Sequence, residues 1–227
     1  MATATAGETF VDQVLKEIIL PARDQLLGNR YFTDLRAGKL TKRRMQGFSL
    51  EHTWFNWVLL KGTALRMLAA QNVGQLKGNL FQISEEKDHP DMCKKFGLAL
   101  GLTDEDFDNH IPTFQTLQHT SVIVASPITV GNAAAGRASG MVNETLVQRY
   151  SAEFAEYLTK APYNMTEDEI EFFIVHGVVD VEHSKMAAAA VARTALTDRD
   201  QELVWYTAKL QTGLKLAKFD AIYDQYV

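Results

Sequence analysis

The sequence predicts an all-α protein, a bundle of about seven or eight helices, and three observations support this fold class. Apolar residues recur over long segments with the period of about 3.6 residues that amphipathic helices show, and the alternation typical of strands is nearly absent. Only 5 prolines and 14 glycines interrupt the 227 residues. No internal repeat, low-complexity linker or shift in composition divides the chain. We therefore expect residues 1–227 to form a single domain.

The helical segments follow in order from this periodicity. The predicted helix of residues 10–27 contains Pro21, which should bend it. Pro90 ends the helix of residues 76–87, the fourth, and Gly101 ends that of residues 92–100, the fifth. The third begins after Thr41 and the last after Thr197, because threonine is a favoured N-cap. The predicted helices are residues 10–27, 31–36, 42–70, 76–87, 92–100, 141–160, 168–194 and 198–226.

Two segments fall outside this series of helices. Residues 103–107 are predicted to form a capped turn. Residues 122–130 are the one run with β-like character, but Pro127 interrupts it. The alanine-rich residues 132–140 that follow favour close packing between helices, so no strand is assigned.

The charge balance and cysteine content exclude several classes of protein. The formal net charge is −5 and the isoelectric point about 5.7, and the most basic segment, residues 42–44, is too short for a nucleic-acid surface. The single cysteine, Cys93, cannot form an intrachain disulfide and fits a reducing compartment. We find no signal peptide and no run of about 18 apolar residues. We expect a cytoplasmic protein without a membrane or nucleic-acid partner.

One predicted helical stretch, residues 172–186 (FFIVHGVVDVEHSKM), concentrates groups that can bind a metal ion. His176, Asp180 and His183 are spaced i, i+4 and i+7, which places them within a sector of about 60° on one helix face. Most residues between them are small or branched and apolar, so this helix is expected to be buried. Two imidazoles and a carboxylate that converge in an apolar interior require a partner, and a metal ion is the obvious candidate.

Two further segments supply residues of the same kind. Glu86 and His89, in SEEKDHPD, share a face at the end of the fourth predicted helix. Glu144, in GMVNETLVQRY, lies in a helix whose other positions are largely apolar. Three carboxylates and three imidazoles are the ligands expected for a pair of iron or manganese ions in a helical bundle. The candidate ligands are Glu86, His89, Glu144, His176, Asp180 and His183.

Two alternatives to this ligand set stay open at this level. Glu85 is an alternative to Glu86, because His89 follows Glu86 by three residues and Glu85 by four. The cluster is also compatible with a metal-free ion-pair network in which Asp180 holds a histidine. That network would be costly, because three acids and three histidines are difficult to bury without a cation.

The order and spacing of the six residues resemble the heme-oxygenase-like diiron oxidases and oxygenases, the metal-binding branch of the TenA/PqqC superfamily. Residues 31–48 (YFTDLRAGKLTKRRMQGF) and 79–107 (NLFQISEEKDHPDMCKKFGLALGLTDEDF) resemble the same family, and the resemblance covers nearly the whole chain. It implies a heme-oxygenase-like helical bundle, a homodimer, and two Fe(II) ions, or Mn in their place, held by the six residues. It favours Glu86 over Glu85, because the spacing to His89 is then that of the alkene-forming fatty-acid decarboxylase branch.

The resemblance also implies an oxidative activity with O₂ as co-substrate and an external electron donor. Similar proteins N-oxygenate, desaturate, fragment or oxidatively decarboxylate a small carboxylate or amino acid, or form para-aminobenzoate. We expect the substrate pocket near Trp54 and Trp57 of the long third helix and near Tyr150. Arg137 and Arg149 are the candidate anchors of a substrate carboxylate.

Two other classes of function remain open from the sequence. A metal-free TenA- or PqqC-like enzyme of cofactor biosynthesis would share the fold without needing the six ligands. Thiamine-degrading relatives of that kind use a cysteine, for which Cys93 is the only candidate, although a buried inert cysteine is commoner. A non-catalytic iron-binding or interaction protein would keep the ligands and lack the reaction with O₂.

Overall fold

A computed structural model describes residues 5–68, 70, 72–129 and 131–227, with the side chains of all of these except residues 125–129 and 178–183. The regular structure in these residues is helical throughout, so the predicted all-α class is confirmed. None of the described helices is long and apolar enough to cross a bilayer. The helices are α1 (Ala6–Val14), α2 (Leu20–Leu27), α3 (Arg30–Arg36), α4 (Lys42–Leu68), α5 (Val73–Glu86), α6 (His89–Ala99), α7 (Asp104–Asp108), α8 (Phe114–Thr129), α9 (Ala133–Leu158), α10 (Glu171–Thr194) and α11 (Asp198–Gln225), and Leu15–Ile19 form a π-helical turn between α1 and α2.

The first predicted helix is divided into α1, the π-helical turn and α2. α1 begins with a capping box, in which Thr5 Oγ1 accepts from Glu8 N at 3.3 Å and Glu8 Oε2 accepts from Thr5 N at 2.7 Å. Pro21 lies in the first turn of α2, where a residue without an N–H is best tolerated. The π-helical turn Leu15–Ile19 precedes Pro21, and its wider hydrogen-bond pattern accommodates the loss of the bond that the proline cannot donate. The effect of Pro21 is therefore a change of helix type just before the proline.

The segment with β-like character lies in α8 and is helical. α8 contacts α4 and α11, and Ile123 forms a small buried cluster with Phe55 and Leu59 of α4. Burial of one helical stripe outweighs the β preference of the branched residues in this short run, because that preference depends on context. Val130, the last residue of the run, lies outside the described residues.

The main core is a cluster of aromatic rings from α3, α4, α6, α9, α10 and α11. Phe154 and Phe173 stack with ring centroids 4.2 Å apart and an angle of 16° between their planes. Phe172 stands at the edge of the cluster, with its ring centroid 4.1 Å from that of His176, so the core leads directly to a candidate ligand. The other buried rings of the cluster are Tyr31, Phe32, Phe48, Phe96, Tyr150, Phe219 and Tyr226.

α4 and α6 approach each other closely at Gly97. A Cβ at this position would lie 2.3 Å from Ser49 Oγ and 2.7 Å from Phe107 Cζ, closer than atoms in contact allow. The absence of a side chain thus lets α6 lie against α4. Because α6 begins at His89, this contact helps to place a candidate ligand.

Candidate metal centre

Glu86 and His89 lie at the junction of two helices. α5 ends at Glu86, α6 begins at His89, and Pro90 occupies the first turn of α6, a position that its fixed φ favours. Across the junction Glu86 Oε2 lies 2.5 Å from His89 Nδ1, and both side chains are nearly buried. Glu85 is exposed. Of the two adjacent carboxylates, Glu86 is the one that contacts a second candidate ligand.

His176 approaches the same histidine from α10. Its Nδ1 donates to the carbonyl oxygen of Phe172, one turn earlier, at 2.6 Å. Because a carbonyl only accepts, this bond places a proton on Nδ1, and in the neutral ring the lone pair is then on Nε2. His176 Nε2 lies 3.3 Å from His89 Nδ1. A metal-binding histidine is commonly held in this way, with one ring nitrogen bonded to the protein and the other directed at the ion.

Glu144 of α9 joins these residues at a small cavity. Glu86, Glu144 and His176 all line it, and its volume is about 10 Å³, close to the least space that holds one water molecule. Three separate helices thus bring two carboxylates and an imidazole to one enclosed point. The remaining wall consists of Phe55, Asn56, Asn143, Val147, Tyr150 and Phe172.

Asp180 and His183, the other two predicted ligands, lie outside the described side chains. Within the side chains that are described, no three His, Cys, Asp or Glu residues are close enough together to hold a metal ion on their own. The donor chemistry of Glu86, His89, Glu144 and His176 nevertheless fits iron, because carboxylate oxygen and imidazole nitrogen are its usual ligands in helical bundles.

The residues predicted to form the pocket are only partly at this cavity. Tyr150 is buried and lines it. Trp57 is 45% exposed, and Trp54 packs against it with ring centroids 5.4 Å apart. The described residues of α4 that line the cavity are Phe55 and Asn56. α4 carries apolar residues around much of its circumference, so its periodicity did not identify the face toward the cavity.

The two candidate anchors, Arg137 and Arg149, are exposed side chains of α9 and are not part of the cavity wall described above. Arg149 Nη2 pairs with Glu153 Oε1 at 3.3 Å. Arg137 lies near Arg66 of α4, and burial together with this second cation lowers the pKa of Arg66 to about 10.

Two lysines behind the cavity wall were missed by the sequence analysis. Lys215 and Lys218 of α11 are fully buried. Lys215 Nζ donates to Asn143 Oδ1 at 2.7 Å, and Lys218 Nζ lies 3.3 Å from His52 Nε2. The same Nε2 lies 3.1 Å from Tyr150 Oη. Both lysines fall on the buried stripe of the last predicted helix, where a lysine is rare. This unusual position is the sequence feature that could have identified them.

The charge state of these groups is set mainly by burial. Burial, together with Lys218 and Lys215, lowers the pKa of His52 well below its usual value. Burial and Lys215 likewise lower the pKa of Lys218. His52 is therefore neutral at pH 7, and its Nε2 can accept from Lys218 or Tyr150.

Comparison with known proteins yields a family and a relative over most of the chain. The model of a family described as iron-containing redox enzymes matches residues 51–215. A 4-aminobenzoate synthase from Nitrosomonas europaea is 25% identical over 240 residues, which cover 97% of this chain and 94% of that protein.

Solved structures with the same helical arrangement cover nearly the whole chain. A domain of unknown function with a heme oxygenase-like fold, from Shewanella denitrificans, has a TM-score of 0.84 at 18% identity, covering 95% of this chain and 93% of that one. A TenA homologue from Pyrococcus furiosus has a TM-score of 0.79 at 16% identity, covering 94% and 100%. These likenesses confirm the heme oxygenase-like fold.

Proposed function

Because the chain belongs to the family of iron-containing redox enzymes, we propose that it is a non-heme diiron enzyme that uses O₂ to oxidise a small carboxylate or amino acid. The observation that carries this proposal is the convergence of Glu86, Glu144 and His176 on one cavity, with His89 in contact with Glu86 and His176. Asp180 and His183 complete the proposed ligand set for two Fe(II) ions, or for Mn in their place.

The protein side chains prepare this site for oxidation chemistry. Two metal ions held by these residues would provide redox chemistry with O₂, with electrons from an external donor. The hydrogen bond from His176 to the Phe172 carbonyl fixes the imidazole ring and keeps a lone pair on Nε2. Phe55, Val147 and Phe172 form an apolar part of the wall, and low-dielectric surroundings of this kind strengthen electrostatic interactions inside the cavity.

Among the reactions that the family resemblance implies, formation or oxidation of a small aromatic carboxylate has the most support. One supporting observation is the likeness to a 4-aminobenzoate synthase over 97% of the chain. Another is the aromatic part of the cavity wall, formed by Phe55, Tyr150 and Phe172, since flat rings pack well against such side chains.

A metal-free TenA-like enzyme is the second candidate, because TenA homologues share the fold. The chemistry of Cys93 disfavours a cysteine-dependent version of it. Cys93 is fully buried, its Sγ accepts from Asn56 Nδ2 at 3.3 Å, and burial raises the pKa of its thiol far above the usual range. A thiol that does not ionise is a poor nucleophile.

Anaerobic titration with Fe(II), followed by exposure to O₂, tests the proposal. We expect about two ions per chain and a transient visible absorption band after O₂ is added, as the ligand set suggests. His176→Ala should abolish stable iron binding, while the helical content measured by circular dichroism stays unchanged. The matched control is His110→Ala, because His110 is not among the residues that line the cavity and its replacement should leave iron binding intact.

Two other results would contradict the proposal. A chain that binds no iron under these conditions favours the metal-free enzyme. A chain that binds iron stably but does not react with O₂, across a panel of amino acids and aromatic carboxylates, favours a non-catalytic iron-binding protein.

A further inference from the structure

Two fully buried lysines lie next to each other on α11. Lys215 and Lys218 are three residues apart and therefore share one face of the helix, and neither has any exposed surface. Lysine is almost never fully buried unless it is paired, because removing an ammonium group from water is costly. Two such groups side by side also repel each other, so the burial of Lys218 in particular requires an explanation.

The side chains in direct contact with Lys218 Nζ are neutral. Its Nζ lies 3.3 Å from His52 Nε2 and 4.1 Å from the centre of the Phe55 ring. Among the described residues, no carboxylate oxygen is within the 4.0 Å of an ion pair with it. Glu51 attracts Lys218 electrostatically from a greater distance. The carboxylate of Glu51 already accepts hydrogen bonds from Tyr226 Oη at 2.8 Å and from Thr113 N at 3.0 Å.

The lysines contact the same residues that line the metal cavity. Phe55 lines the cavity, and its ring also contacts both lysines. Lys218 Nζ lies 4.1 Å and Lys215 Nζ 4.8 Å from the ring centre. Asn143 lines the cavity and accepts from Lys215 at 2.7 Å. Tyr150 lines it as well, and its hydroxyl contacts His52. A single layer of side chains therefore connects the proposed iron site with two buried lysines.

We propose that Lys218, together with Lys215, is the subsite that binds the carboxylate of the substrate. This inference rests on the proposed function, because it assigns the substrate of that same site. The carboxylate accepts from the two ammonium groups, and the rest of a small aromatic substrate lies along Phe55 and Tyr150 toward Glu86, Glu144 and His176. A bound anion also supplies the countercharge that Lys218 lacks among the described residues. Because the anion compensates the unfavourable burial of Lys218, this compensation contributes to its affinity.

Binding of benzoate and of benzamide, measured by calorimetry on the full chain, tests this assignment. The two probes have nearly the same shape and differ in charge. We expect benzoate to bind wild-type protein about tenfold tighter or more, the effect expected of a charged hydrogen bond. Lys218→Met should remove this preference by weakening benzoate about tenfold, with benzamide nearly unchanged. The matched control is Lys209→Met, which removes an exposed lysine from the same helix and should leave the preference intact.

Equal binding of the two probes to wild-type protein would overturn the inference, and so would a preference that survives in Lys218→Met. If Lys218→Met does not fold, thermal unfolding of wild-type protein decides: a larger increase in Tm with benzoate than with benzamide supports the subsite, and equal increases contradict it. Iron binding is measured separately in each variant. Loss of the benzoate preference with normal iron binding supports the subsite, whereas absent iron binding overturns the proposed function and leaves the probe comparison valid.

Discussion

Glu85 and Glu86 are adjacent on α5, and a step of about 100° around the helix separates the directions of their side chains. Only one of them can face the cavity, and the structure has Glu86 in the cavity wall and Glu85 exposed. The spacing to His89 did not distinguish them, because residues three apart and residues four apart both share one helix face. The distinction depends on where α5 ends, and Pro90 alone did not fix that residue.

Glu86→Gln should weaken Fe(II) binding by about tenfold or more, because an amide is a much poorer ligand than a carboxylate. Glu85→Gln is the matched control and should leave the affinity unchanged, since that side chain is exposed. Anaerobic calorimetric titration with Fe(II) measures both. If the two variants bind iron as wild-type protein does, the assignment of the first carboxylate ligand is wrong.

At the scale of the elements, helices that are long and clearly capped were the most predictable. α4 and α11 begin at the residues that Thr41 and Thr197 indicated, because each threonine accepts a hydrogen bond from the backbone three residues later. α9 begins eight residues earlier than the predicted start at residue 141, at Ala133, because the alanine-rich residues continue the helix. The face of α4 toward the cavity depends on tertiary packing, which periodicity does not encode.

Gly97→Ala should destabilise the protein by about 1–3 kcal/mol, because the added methyl group would overlap Ser49 of α4 and Phe107 of α7, which pack against α6. Gly213→Ala is the matched control within a helix. No atom lies within 4 Å of its added Cβ, so better helix propensity should stabilise the protein by about 0.5–1 kcal/mol. Urea unfolding followed by circular dichroism measures both changes, and similar effects at the two sites would contradict the close contact.

At the scale of the whole molecule, the interior is unusually rich in buried basic groups. His52 and His119 are both buried. Burial is the main cause that lowers the pKa of each well below 6.5, and the nearby Lys215 and Lys218 lower it further. In the unfolded chain both return to a pKa of about 6.5. Below that pH the unfolded state binds more protons than the folded state, so acid favours unfolding.

The free energy of unfolding should therefore fall as the pH is lowered from about 7.5 to 5.5, with a slope of up to about 1.4 kcal/mol per pH unit for each histidine. Carboxylates whose pKa is lowered, such as Glu51, titrate below this window. His119→Gln should reduce the slope, since one of the groups whose pKa is lowered in the folded state is removed. Urea unfolding at several pH values measures the slope; a stability that is constant or increases toward pH 5.5 would contradict the proposed charge states.

The cavity at the candidate metal centre has a volume of about 10 Å³, so an organic substrate can occupy it only after side chains of its wall move apart. The apparent dissociation constant then equals the intrinsic one divided by the fraction of time spent in that open arrangement. A protein that is rarely open thus binds its substrate less tightly, while the closed arrangement limits the access of bulk solvent to the candidate metal centre.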